Sequence, residues 1–243
     1  MAQPLQTGAK AEGRPRVNFV IQPAVAEDID AAAAIAGAAF KTDTHTQLKA
    51  LFDGPNAQAD GKGGALKAWL NHPKIDILVA KDVDAGRMLG WIAWCRRGYE
   101  GDVDLPMDPP ADLPPADTPK TIALLKERSN HAVVKWSIDF MPEGCRCRFI
   151  ISLVVDPSYQ GMGIGSQLMK WGTEKADKEG VYCWVSSSMG AKAAYEKAGF
   201  RVVGKEEEVL DDYAEGKQRK EADGTDEPWG TYVWWYMKRE PLC

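Results

Sequence analysis

The sequence predicts an α/β fold: a mixed central sheet flanked by helices. Three observations predict it. Short apolar segments of strand length recur along the chain, at residues 17–21, 75–80, 88–95, 147–155, 182–186, 200–203 and 232–237. Helical stretches of the right length lie between them, most clearly at 29–40 and 165–179. From residue 147 onward strand and helix alternate, the order that lays helices over a sheet.

The elements follow in order. Residues 17–21 alternate as a first strand, and Pro23 leads to Glu27 and Asp28, acidic groups suited to a helix start. Residues 29–40 are Ala-rich and strongly helical. Residues 41–70 keep a helical pattern that Asp53, Gly54 and Pro55, and then the glycines of 61–64, are expected to break. Segments 75–80 and 88–95, joined by a turn-like 82–86, read as a hairpin. Residues 101–119 hold six prolines and five aspartates, a surface insertion with neither strand nor helix. A helix opens near Thr118, Pro119 and Lys120 and runs to about Lys135. Residues 147–155 are the best strand, ending at Asp156 and Pro157. In the helix of 165–179, Leu168, Met169, Gly172 and Ala176 share one face. A short helix at 191–198 is closed by Gly199. Residues 206–227 are charged and read as a loop before the final strand. No internal repeat is found.

The chain has 243 residues, enough for one well-buried domain, which is placed at 17–243 behind a loose polar tail at 1–16. No run approaches the ~18 apolar residues of a membrane span, and the N-terminus lacks the apolar stretch of a signal peptide. The formal charge of −5, with no long basic tract, argues against a nucleic-acid partner. Five cysteines, an odd number, suit reduced thiols and a cytoplasmic place, with the nucleus left open. Cys145 and Cys147 could form half of a metal clip, but no second pair or nearby His completes a tetrahedral set, so no metal is expected. The other reading is two small residues on one strand face. Cys243, the last residue, is not placed for prenylation.

The strongest chemical signal is a strand, then Gln160, Gly161, Met162, Gly163, Ile164 and Gly165, then a helix. Glycines let backbone approach a ligand and take positive φ. The helix behind them offers unpaired N–H groups and a partial positive charge to a phosphate or pyrophosphate. The dipole contributes only ~0.3–2 kcal/mol, so N–H hydrogen bonds must supply much of the grip. A dinucleotide-binding pattern would need glycine where Ser166 stands, and a P-loop would need a Gly-Lys-Ser/Thr that is missing. A tight strand-to-helix connection without a ligand is the plain alternative.

The segment resembles the signature Q/R-x-x-G-x-G/A of the GCN5-related N-acetyltransferases (GNAT), matched at Gln160, Gly163 and Gly165. Leu153, Val154, Val155, Asp156 and Pro157 before it, and the run from Ala193 to Phe200 after it, carry the resemblance over about residues 147–204. A weaker echo lies at residues 21–40. The resemblance implies a GNAT-like acyl-CoA N-acyltransferase fold with two splayed central strands, and acetyl-CoA as co-substrate. It implies that Leu153, Val154 and Val155 pair with the pantetheine arm, that residues 160–165 with Ser166 hold the pyrophosphate, and that Tyr195 is the general acid. A departing thiolate of pKa near ~8.5 leaves better when protonated, and a phenol near ~10 still carries its proton at neutral pH. Ser188 stands where relatives often have an Asn near the cofactor. It could equally be a helix cap.

The acceptor side is less determined. An alkylamine is neutral to about one part in 10³ at pH 7, so a proton must be removed before attack. Some relatives use a Glu eleven residues before the signature Gln; here that position is Phe149. His45, Asp139, Glu143 and His131 are candidate bases, as is a water chain. Nine tryptophans are many for this length. Trp91, Trp94, Trp234 and Trp235 either line an acceptor cleft or pack the core. The acceptor is expected to be a small-molecule amine. A protein lysine or α-amine, a different acyl group, and an acetyl-CoA sensor without turnover are the alternatives.

Overall fold

The computed structural model describes residues 17–102, 104, 107–220 and 224–242. The tail expected at 1–16, part of the insertion at 101–119, and Cys243 lie outside the described residues. Strand β1 (Phe19–Pro23) is followed by α1 (Ile29–Ala39), α2 (Thr44–Asp53) and α3 (Ala57–Trp69), then by β2 (Ile75–Asp82) and β3 (Met88–Arg97). Helix α4 (Ile122–Phe140) precedes β4 (Cys147–Val155), α5 (Ile164–Glu179), β5 (Tyr182–Ser187), α6 (Lys192–Lys197) and β6 (Arg201–Val209). A two-residue pair, β7 (Arg219–Lys220) and β8 (Asp226–Glu227), and the long β9 (Thr231–Arg239) complete the chain. Seven strands form one sheet in the order β1-β2-β3-β4-β5-β9-β6, antiparallel except for β4 against β5. Among the described residues no helix is long and apolar enough to cross a membrane.

Helices cover both faces. On one side α5 packs Ile164, Leu168, Met169 and Ala176 against Leu78, Ile92, Trp94 and Ile150. A Cβ on Gly172 would lie 2.1 Å from the Trp94 ring, so only glycine lets α5 seat on β3. On the other side α1 and α3 pack Ile29, Ala36 and Leu66 against Val79, Trp91, Ala93 and Val154. Trp91 donates its indole N–H to the Ala32 carbonyl at 2.9 Å, tying α1 to β3. Trp91 and Trp94 are thus buried on opposite faces, and neither lines a cleft.

Three expectations are corrected. The glycines at 61–64 do not break the chain: α3 runs through them. Small residues there allow close helix packing, with a Cβ on Gly63 meeting that of Ala33 at 3.5 Å, and tertiary contact overrides their weak propensity. The charged segment read as a loop from residue 206 begins as the second half of β6, paired to β9 through Val209. The edge tolerates this run because Glu206 accepts from the Trp136 indole at 3.1 Å and Glu208 from Arg128. Helix α4 extends to Phe140, beyond Lys135, because Trp136 and Phe140 join an aromatic stack.

That stack sits beside the parallel pair. Phe149 stacks on Trp184 at 5.0 Å, Trp184 on Phe140 at 5.1 Å, and Trp136 on Tyr236 at 4.6 Å. Strand β4 pairs with β5 over four positions only, from Cys147 opposite Tyr182 to Ile150 opposite Val185. On its other edge β4 stays paired with β3 as far as Val155 opposite Gly90. The register shifts between Ala93 and Trp94, which face Ser152 and Ile150, so Ile151 is an extra, bulged residue. The bulge bends β4 where it leaves β5, and the two strands part from Ile151 onward.

Candidate active site

Beyond the bulge, Leu153, Val154 and Val155 keep β3 on one edge and have no strand on the other. Apart from Val155 O, which accepts from the Gln160 side chain, the edge facing β5 is therefore open to an added extended segment. Leu153 and Val155 turn their side chains toward α5, and Val154 toward α1 and α3.

At the end of β4 the backbone N–H of Asp156 donates to Leu89 O at 2.9 Å, and its carboxylate caps Ser158 N at 2.8 Å. Gln160 folds back to donate its side-chain amide to Val155 O at 3.1 Å, closing the turn onto the strand. Gly161 and Gly163 take φ of +79° and +84°, the left-handed region. The first helical bond of α5 runs from Gln167 N to Gly163 O at 3.0 Å. The N–H groups of Ile164, Gly165 and Ser166 come before it and have no helical partner. A Cβ on Gly165 would touch Val155 and Leu153 at 3.5 and 3.9 Å, so the helix start packs on the parted end of β4. Met162 is half-buried, Ile164 is buried, and Gln160, Gly161 and Ser166 are exposed.

Tyr195 on α6 packs into the same cluster as Leu153, Ile164 and Leu168, with its ring edge-on to Phe200 at 5.6 Å. It is 4% exposed, and among the described residues its hydroxyl has no hydrogen-bond partner. Burial raises its pKa above the usual ~10, so it keeps its proton at neutral pH. Ser188 follows β5 and precedes a short turn without capping it, which removes the capping alternative. It lies beside the Tyr232 hydroxyl.

Tyr232 leads to a polar cluster under α2 and α3 that the sequence did not single out, apart from His45. Its hydroxyl donates to Asp43 Oδ2 at 2.6 Å, while Asp43 Oδ1 caps α2 at Thr46 N. A carboxylate–phenol pair of this kind can carry a proton. His45 is buried against Tyr232 and Trp234, with ring centroids 5.2 and 4.8 Å away. Burial, aided by the charge of Lys49, lowers its pKa to about 3, which makes it a weak base. Lys62 on α3 donates to Ser152 Oγ at 3.2 Å. Sequence separation hid this cluster: its members lie on α2, α3, β4 and β9, and no local spacing links them.

The other candidate bases are not brought to the gap. Asp139 and Glu143 are exposed at the end of α4 and in the turn after it. His131 lines a cavity of about 140 Å³ between α4 and β6, with β5 and β9 between that edge strand and β4. Phe149 is part of the aromatic stack. Of the remaining tryptophans, Trp234 meets His45 edge-on at 4.8 Å and Trp235 lies 5.1 Å from the Lys192 ammonium. Cys147 is buried and Cys145 half-buried. Among the described residues no group of three or more His, Cys, Asp or Glu side chains is placed to hold a metal ion.

A parted parallel pair with a glycine turn and helix start at its open end defines an acyl-CoA-dependent acetyltransferase class when set beside known proteins. The family model described as "Acetyltransferase (GNAT) family" matches residues 60–200, and the chain belongs to that family. Solved structures share the fold. An arylalkylamine N-acetyltransferase like 5b from mosquito is 18% identical, with TM-score 0.54, covering 91% of this chain and 99% of its own. A "histone acetyltransferase HPA2 and related acetyltransferase" from Corynebacterium glutamicum is 17% identical, with TM-score 0.53 and coverages of 93% and 97%. An N-acetyltransferase from Staphylococcus aureus is 15% identical, with TM-score 0.50 and coverages of 92% and 98%. No curated protein sequence matches the chain.

Proposed function

We propose that this chain is an N-acetyltransferase that moves an acetyl group from acetyl-CoA directly to an amine of a small molecule. The observation that carries the reading is the gap between β4 and β5, which is followed at the end of β4 by the left-handed turn at Gly161 and Gly163, with the Tyr195 ring in the same side-chain cluster as Leu153 and Val155. The groups present fit acetyl-CoA. The free edge of Leu153, Val154 and Val155 suits the amides of the pantetheine arm. The turn Gln160, Gly161, Met162, Gly163, Ile164 and Gly165, with Ser166, offers N–H donors to the pyrophosphate. Ser188 flanks the arm from the β5 side. When bound, acetyl-CoA supplies the activated acetyl group.

The protein's part is to hold the reactants and move protons. Attack forms the bond from amine nitrogen to acetyl carbon and breaks the carbon–sulfur bond. The amine gives up its proton to a water chain, Tyr195 donates its hydroxyl proton to the departing sulfur, and the phenolate then recovers a proton from water. Burial keeps the phenol protonated at neutral pH, so its hydroxyl hydrogen is in place when negative charge builds on the sulfur. A small acceptor is supported by Phe149, which is locked in an aromatic stack where some relatives place a carboxylate. Free CoA release across a panel of small amines and lysine peptides tests the reading. Small amines should saturate, and peptides should be poor acceptors. Efficient acetylation of a peptide at micromolar concentration overturns the small-molecule acceptor.

A further inference from the structure

Ser152 stands two residues beyond Ile150, the last β4 residue paired with β5, so the Lys62 ammonium bonded to it at 3.2 Å reaches the widening gap. The ammonium lies 5.8 Å from the Trp69 ring centroid. Burial, and to a lesser extent the charge of Lys49 on α2, lowers the Lys62 pKa. Among the described residues no carboxylate forms an ion pair with Lys62, whereas the carboxylates of Asp43 and Asp53 act on Lys49 and offset its charge in part. Buried ammonium groups are ordinarily paired. Lys62, half-buried, has the Ser152 hydroxyl as its hydrogen-bond partner among the described residues and no anion beside it at the edge of the gap.

We propose that the acceptor amine carries an anionic group, a carboxylate or a phosphate ester, which docks on Lys62 and Ser152. This rests on the acetyltransferase reading and names its substrate class. An anion there neutralises the Lys62 charge, and its attachment to the amine aims the nitrogen into the gap.

Matched acceptors test it: propylamine against β-alanine, and ethanolamine against O-phosphoethanolamine, followed by CoA release at saturating acetyl-CoA. At least one anionic member should show a KM roughly tenfold or more below its neutral counterpart, and which pair responds tells carboxylate from phosphate. Lys62→Met should erase that advantage and Lys62→Arg should restore much of it, with acetyl-CoA affinity reporting that each variant is folded. A second readout does not need turnover: tryptophan fluorescence of the CoA-loaded protein titrated with N-acetyl-β-alanine and with O-phosphoethanolamine. Saturable binding that Lys62→Met removes supports the anion site even if no amine reacts, a result that would sink the acetyltransferase reading alone. Neutral amines preferred or equal, an advantage unchanged in Lys62→Met, or no saturable binding of either anion overturns the proposal.

Discussion

Substituting Gly163 separates backbone strain from bulk. Gly163 has φ of +84°, and a Cβ built on it would meet nothing within 4 Å. A side chain there has room, so the cost of a substitution lies in the backbone. Holding an L-residue in the left-handed region costs roughly 1–2 kcal/mol, more for a β-branched residue and less for Asn. Because no neighbour grips the position, the free turn relaxes, and a pyrophosphate must restore it before the N–H groups of Ile164, Gly165 and Ser166 align. The strain then falls on binding. Gly163→Val should weaken acetyl-CoA binding at least tenfold, about 1.4 kcal/mol. Gly163→Ala should lose somewhat less, and Gly163→Asn should stay within about threefold of wild type. Calorimetric titration reads affinity, and thermal unfolding shows whether the strain went into stability instead. Wild-type affinity in a folded Val variant, or an Asn variant as weak as Val, would refute the reasoning.

Three further outcomes are expected. Tyr195→Phe should lower kcat by roughly ten- to a thousandfold, with acetyl-CoA affinity changing less than about threefold; wild-type kcat would make Tyr195 a packing residue. Gly172→Ala should cost ~1–3 kcal/mol by overpacking against Trp94. Adding Trp94→Phe should cost less than the sum of the two single changes, and strict additivity in thermal unfolding would contradict the close approach. His45 is held neutral in the folded state, with its pKa lowered to about 3 from an unfolded value near 6.5. Its contribution is therefore complete above ~6.5 and is lost as pH falls from there toward 3, at up to ~1.4 kcal/mol per pH unit. His45→Phe should flatten denaturant stability between pH 7 and 5, and equal slopes in the two proteins would count against a buried neutral imidazole.

Local signals in the sequence carried far. The strand at 147–155 was legible to the residue because its apolar run ends at Asp156 and Pro157, and the glycine turn because positive φ demands a particular residue type. The helix at 29–40 followed from alanine propensity. What failed depended on partners remote in the chain. The glycines of 61–64 look like a break until Ala33 of α1 is seen to need small neighbours. Glu206 and Glu208 look like loop residues until α4 supplies Trp136 and Arg128. The Asp43–Tyr232 bond spans 189 positions and the Lys62–Ser152 bond 90. No periodicity records such pairs, and with them the acceptor side stayed hidden.

The four-position ladder between β4 and β5 compares with seven register pairs between β2 and β3 and eight between β6 and β9. The two halves of the sheet therefore meet at a seam poor in hydrogen bonds, and the stack of Phe149, Trp184 and Phe140 must supply much of its cohesion. This changes how a mutational survey should be read. Substitutions at Phe149 will abolish activity as completely as the loss of a reacting group, yet they will do so by unseaming the sheet. Scored by activity alone, Phe149 would pass for a residue of the chemical step. Scored beside the amount of folded protein, it sorts with the core.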